Sequence, residues 1–144
     1  MTAPRKHLRV HIGTVAEVED VAARALRWSG QRAESARRNG DTLAAAYNYA
    51  NSLLILERFK EAKRLLRKVI PVARRALGAE HDITLSLRED LSRATLDGES
   101  SAEEKREALQ MLEDVAAVMR RVLGPAHPDT LHAQRHLEHY RGSH

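Results

Sequence analysis

The feature that most constrains the fold is a stretch of nine residues that the chain contains twice. The copies read LGAEHDITL at 77–85 and LGPAHPDTL at 123–131, so Leu, Gly, His, Thr and Leu recur in the same order. A pair of arginines precedes each copy at the same offset, and a partial third copy begins at Asp41. The matching threonines of the three copies are 42 and then 46 positions apart, at Thr42, Thr84 and Thr130. A recurrence of this length indicates an array of structural repeats.

Each copy has the residue types of a helix end followed by a helix start. Gly78 and Gly124 follow amphipathic runs that end in paired arginines. They are therefore predicted to be left-handed residues just past a helix, with the arginines facing the negative end of the helix dipole. Pro128 suits the first turn of the next helix. The free N–H groups there could be capped by His127, Asp129 or Thr130, and the residue types do not choose among them.

Composition narrows the class of protein. Of the 144 residues, 42% are hydrophobic but only 3% are aromatic, which suits closely packed helices. The chain has no cysteine, so disulfides, thiolate metal sites and a cysteine nucleophile are excluded. No apolar run reaches the length of a membrane span or a secretory signal, so we expect a soluble, cytoplasmic protein without a membrane partner. The sequence contains no nucleophile elbow, phosphate loop or dinucleotide fingerprint, so it predicts neither an enzyme nor a cofactor.

The hydrophobic periodicity predicts an all-α fold of about six helices. We expect an arm at 1–13, a helix or helix pair at 14–40 that Asn39-Gly40 ends, repeats with a closing helix at 41–140, and a tag-like tail at 141–144. Within the repeats, helices are predicted at about 42–56, 59–77, 83–96, 102–123 and 128–140. Ser101 and Glu104 have the spacing of a capping box. Pro71 lies inside the second of these helices and is predicted to bend it.

The repeats resemble the tetratricopeptide repeats of kinesin light chains over about residues 41–140. The resemblance rests on the period near 42, the L-G-x-x-H-x-x-T-L turn and the Glu-Ala pair of each second helix. Further matches are Asn48, Ala50, Phe59, Glu61 and Ala62. The chain departs from the family pattern at Glu57, in place of a glycine, at Ser92, in place of an alanine, and at Asp90 and His136, in place of an asparagine. The resemblance implies a right-handed, tetratricopeptide-like solenoid of helical hairpins.

The resemblance also implies that the first helices of successive units line a concave groove that binds a protein or peptide. In this register the groove residues are Tyr47, Asn48, Asn51, Ser86, Glu89, Asp90, Arg93, His132, Arg135, His136 and His139. Side-chain amides suit a peptide backbone, whereas arginines and histidines favour an acidic segment of the ligand. The alternative is that these side chains are an ordinary solvated helix face.

Three histidines of the closing helix share one face, at His132, His136 and His139. The first pair has the i, i+4 spacing that can bind a transition metal. That spacing alone is a weak signal, because the chain has eight histidines and no acidic base follows the motif, so no metal is predicted.

Two other functions compete with peptide binding. The second helix of unit one is strongly basic and could contact a polyanion, through Lys60, Lys63, Arg64, Arg67, Lys68, Arg74 and Arg75. The few aromatic residues make nucleic acid the minority alternative, because single strands bind largely by stacking on aromatic rings. The second alternative is a self-assembling structural unit, because a stack of two complete units has open ends; a homodimer and a monomer both stay open.

Overall fold

The computed structural model describes residues 33–142, and it describes side chains from Leu43 onward. Over this range the chain forms five helices joined by short turns: α1 (Ala33–Ile55), α2 (Phe59–Leu77), α3 (Asp82–Asp97), α4 (Ala102–Val122) and α5 (Pro128–Gly142). The all-α prediction is confirmed, and a helix covers each of the predicted repeat ranges. The predicted arm at 1–13, most of the 14–40 segment and the last two residues of the tail lie outside the described residues. Within 33–142, no helix combines the length and the apolar character that a membrane crossing requires.

The first repeat helix begins earlier than the sequence predicts. The sequence predicts a helix end at Asn39-Gly40, and this prediction is wrong, because α1 runs without a break from Ala33 to Ile55. A glycine inside a helix costs about 1 kcal/mol relative to alanine. Leu43 and Leu53 on the same helix are fully buried, and burying a leucine contributes about 1.5 to 3 kcal/mol. Packing therefore outweighs the local preference for a stop.

The helices stack as a solenoid of helical hairpins. Each helix packs on the next, and α1, α3 and α5 also contact one another in succession. One buried cluster joins α1 and α2 to one side of α3, where Leu87 and Ala94 lie. A second cluster joins α4 and α5 to the other side of α3, where Leu85 lies. The core is thus layered between neighbouring helices, as expected for repeats that bury their apolar faces against each other.

The histidines of the repeated stretch cap the helices that follow it. The backbone N–H of Ile83 donates to Nδ1 of His81 at 3.1 Å, and that of Asp129 donates to Nδ1 of His127 at 3.0 Å. An accepting Nδ1 carries no proton, so each capping ring has its proton on Nε2. Nδ1 of His81 also lies 2.8 Å from the Asp82 carboxylate, but the second copy has Pro128 in place of Asp82, and its Asp129 carboxylate lies 4.0 Å from Nδ1 of His127. Because the cap is common to both copies, we assign it and not an ion pair.

The other predicted helix ends are confirmed. Gly78 and Gly124 have φ of +99° and +101°, the sign that the sequence predicts. Oγ of Ser101 accepts from the N–H of Glu104 at 3.1 Å, and the N–H of Ser101 donates to the Glu104 carboxylate at 2.8 Å, which completes the capping box. Glu57, where the family pattern has glycine, has φ of +60°. A positive φ suits glycine, which explains why the family pattern has glycine at this turn.

The helix α2 continues through Pro71 from Phe59 to Leu77. The proline is exposed, whereas Val72 and Ala73 beside it are buried, so the ring lies on the side away from the core. The helix bounds do not test the predicted bend at this residue, and it stays a prediction.

Candidate functional site

The residues predicted to line the groove lie on the three adjoining first helices of the stack, but their accessibility differs. Ser86, Glu89 and Asp90 on α3 are buried, with 7%, 3% and 2% of their surface exposed. Arg135 and His139 on α5 are exposed. The remaining members are half-buried: Tyr47, Asn48, Asn51, Arg93, His132 and His136. The middle of this face is therefore an internal polar layer, and its accessible positions lie to either side.

A hydrogen bond joins α1 to α3 in this layer. Nδ2 of Asn51 donates to the backbone carbonyl of Tyr47 at 3.0 Å and to Oδ2 of Asp90 at 3.1 Å. Arg93, one turn along α3, lies 3.8 Å from the same carboxyl group. Burial and then the charge of Glu89 raise the pKa of Asp90 well above its ordinary value, and Arg93 lowers it only in part. Asp90 is thus a buried acid that resists ionisation.

A second set of bonds joins α3 to α5. Oε2 of Glu89 lies 2.9 Å from Nδ1 of His132 and 2.7 Å from Nδ1 of His136. Burial alone would raise the pKa of Glu89, but the hydrogen bonds from both rings, together with their charge, lower it below its ordinary value. An ionised carboxylate only accepts hydrogen bonds, so both Nδ1 atoms act as donors. The acidic group that faces these two histidines therefore belongs to the chain itself.

One member of this layer, Tyr140, is not among the groove residues that the sequence predicts. Its hydroxyl donates to Oδ1 of Asp97, at the end of α3, at 2.6 Å. Burial and then this bond raise the pKa of the tyrosine hydroxyl. Tyr140 follows His132 and His136 at another i+4 step, so its place on the shared face could have been predicted from helical spacing. Its partner could not, because Asp97 is 43 positions away in the sequence and meets Tyr140 only through the packing of α5 on α3.

The basic second helix forms a separate surface with mixed charge. A cleft of about 840 Å³ lies between the start of α2 and the α3–α4 turn. Its lining includes both bases and acids: Arg58, Lys60, Lys63, Arg64, Arg67, Glu57, Glu61 and Glu99. Lys63 is also engaged, because its Nζ donates to Oγ of Ser100 at 3.0 Å. A polyanion would meet carboxylates as well as cations here.

Comparison with protein families identifies the repeats. Residues 41–103 match a family model described as tetratricopeptide repeat, and residues 99–129 match a second model with the same description. The two matches together span 41–129, which is more than half of the chain. No curated protein and no solved structure matches the chain.

Proposed function

Because residues 41–129 make this chain a tetratricopeptide repeat protein, we propose that it binds a protein partner through the face formed by α1, α3 and α5. Such repeats generally mediate protein–protein interaction and scaffolding, and they are typically without enzymatic activity. The ligand that suits a face of adjoining helices is a peptide segment in extended or helical form. We propose binding alone, without a reaction catalysed on the bound partner.

The observation that carries the proposal is the polar layer that links the three helices. Asn51 bonds to Asp90, Glu89 accepts from His132 and His136, and Tyr140 bonds to Asp97. These bonds fix side-chain rotamers before a ligand arrives. Less conformational entropy is then lost on binding, which favours affinity. The accessible side chains beside the layer supply the polar contacts that a peptide backbone needs.

We further propose a direction for the bound peptide. Asn48 on α1 is half-buried and offers an amide to the peptide backbone, whereas Arg135 and His139 on α5 are exposed. An acidic segment of the ligand would lie over α5. Its main contact would be Arg135, because Nδ1 of His132 and of His136 already faces Glu89.

A titration with a selected peptide tests the site. A peptide selected against the immobilised full chain is titrated into the wild type, Asn48→Ala and Arg135→Ala. Removing the Asn48 amide leaves a desolvated peptide group unpaired, so we expect a loss of about 1 to 3 kcal/mol. Arg135→Ala should weaken binding more at low salt than at high salt. Arg106→Ala, an exposed arginine on α4, is the matched control and should leave the affinity unchanged.

A charge reversal on α2 separates this site from the basic surface. Lys63→Glu combined with Arg67→Glu should leave peptide binding unchanged if the groove proposal is correct. If this double variant alone loses binding, the site is the basic face of α2 and the groove assignment is wrong.

Light scattering over a wide concentration range tests the homodimer, which a persistent monomer would rule out. A cytoplasmic location and the kinesin light chain type of the repeats also remain proposals.

A further inference from the structure

Three side chains with metal-ligating atoms converge between α3 and α5. They are Glu89 from α3 and His132 and His136 from α5, and their ligand atoms all lie within 4.8 Å of one another. We propose that these residues bind one divalent first-row transition-metal ion, with Zn²⁺ as the representative case, and that the ion fastens α5 to α3. This inference does not depend on peptide binding.

The present distances are close to those of a coordinated ion. Nδ1 of His132 and of His136 lies 2.9 Å and 2.7 Å from the same carboxylate oxygen of Glu89. In a tetrahedral zinc site with bonds of about 2.0 to 2.2 Å, neighbouring ligand atoms are about 3.3 Å apart. Each nitrogen therefore has to move from the oxygen by about half an ångström, which side-chain rotation can provide. The two rings are already edge to face, with centroids 4.2 Å apart.

The donor set selects the class of ion. Two imidazoles and one carboxylate suit zinc and its first-row neighbours, whereas Mg²⁺ and Ca²⁺ prefer sites made of oxygen alone. Three protein ligands leave a fourth position for water. Ligation needs the Nδ1 lone pair, so the proton that each Nδ1 now donates to Glu89 has to leave that atom, and Nε2 of each ring keeps or takes up a proton. The ion then takes the place of the two Nδ1–H donors opposite Glu89.

The surroundings favour a bound cation with a route from solvent. The Glu89 side chain is only 4% exposed, so its charge is poorly screened by water. The His132 side chain is 45% exposed and leaves the site open on one side. Arg93 pairs with Asp90, whereas His132 and His136 are the groups that pair with the Glu89 carboxylate. An ion here would join α3 to α5 in place of the two hydrogen bonds to Glu89, beside the bond from Tyr140 to Asp97.

Calorimetric titration of the full chain with ZnCl₂ tests the site. We expect the wild type to bind one ion per chain at this site and its Tm to rise with added zinc. Glu89→Gln and His132→Gln each remove one ligand and should weaken the binding at least as much as loss of an outer-shell partner does, about 10- to 100-fold. His139→Gln removes the third histidine of the same helix and is the matched control, with wild-type affinity expected. MgCl₂ should not raise the Tm.

Two features keep the experiment decisive. His132 is half-buried, so its glutamine variant should keep the fold, and the circular dichroism of each variant checks this. If folded His132→Gln binds zinc as tightly as the wild type, the proposal is overturned. It is also overturned if His139→Gln loses as much affinity as His132→Gln, or if the wild type binds no zinc at micromolar concentrations. Co²⁺ in place of Zn²⁺ should give the visible absorption of a tetrahedral centre in the wild type and His139→Gln alone.

Discussion

Replacing Glu57 by glycine is expected to stabilise the protein. Glu57 is the one non-glycine residue of the described range 33–142 with positive φ, at +60°. Two backbone hydrogen bonds hold it there. The N–H of Arg58 donates to the carbonyl of Leu53 at 2.8 Å, and the N–H of Glu57 donates to the carbonyl of Leu54 at 3.0 Å. This is the Schellman arrangement, in which the residue just past the helix is left-handed. A side chain in that conformation costs about 1 to 2 kcal/mol.

The net gain is smaller than this strain. Glycine has more freedom in the unfolded chain, which offsets about 0.5 to 1 kcal/mol. We therefore expect Glu57→Gly to raise the free energy of unfolding by about 0.5 to 1 kcal/mol, measured from the urea midpoint at an unchanged slope. Glu57→Ala is the control, because it removes the carboxylate but keeps Cβ and the strained φ. The difference in the free energy of unfolding between Glu57→Gly and Glu57→Ala therefore measures the backbone effect alone, which is the cost of the positive φ less the freedom of glycine in the unfolded chain.

A reversed substitution checks the same reasoning at the next helix end. Gly78 has φ of +99° and ψ of 158°, and a Cβ built there meets no atom within 4 Å. Gly78→Ala should therefore destabilise the protein through the backbone alone, by about 1 to 3 kcal/mol. If Glu57→Gly is no more stable than Glu57→Ala, positive φ does not strain this turn and the argument fails.

Three further substitutions have expected outcomes by thermal or urea unfolding. Gly98→Ala should lower stability by about 1 to 3 kcal/mol, because its Cβ would lie 2.8 Å from Cβ of Phe59, whereas Gly142→Ala, with no atom within 4 Å, should not. His81→Ala should cost about 1 kcal/mol through loss of the cap, and His81→Asn should restore most of it; equal stabilities would show that the cap contributes nothing. The pKa of Asp90 is raised by burial, so its ionisation destabilises the fold as pH rises above the unfolded value of about 3.9. Asp90→Asn should thus be more stable at pH 7 by on the order of 1 kcal/mol, an advantage that should disappear near pH 4; a less stable variant at pH 7 would contradict this sign.

The local signals of the sequence predict the helices of the repeats well. The bounds of α2 agree with the prediction because its start follows a turn and its end precedes Gly78. Asn39-Gly40 gives the same local signal for a helix end, but the helix continues because burial of Leu43 and Leu53 on α1 outweighs it. The choice of His127 as a cap depended on geometry, since three neighbouring residue types were all suitable.

The polar layer could be predicted only in part. Helical spacing places His132 and His136 on one face, but their shared partner is 43 and 47 positions away. Only the packing of α5 on α3 brings Glu89 between them. Burial of Glu89 beside Asp90 could not be expected either, because adjacent carboxylates are rarely buried together. The sequence therefore predicts where the face lies but not that Glu89 and Asp90 at its centre find hydrogen-bond partners within the chain.

The position of α3 between the two buried clusters gives the helices unequal weight in unfolding. Leu87 and Ala94 belong to one cluster and Leu85 to the other, so this helix is a wall common to both. If α5 peels away, the first cluster keeps all its members, whereas loss of α3 opens both at once. The helices that belong to one cluster should therefore come loose before α3, whose backbone amides should be the last to exchange with solvent. The repeats are therefore not equal units in unfolding, because the stability of both clusters depends on α3.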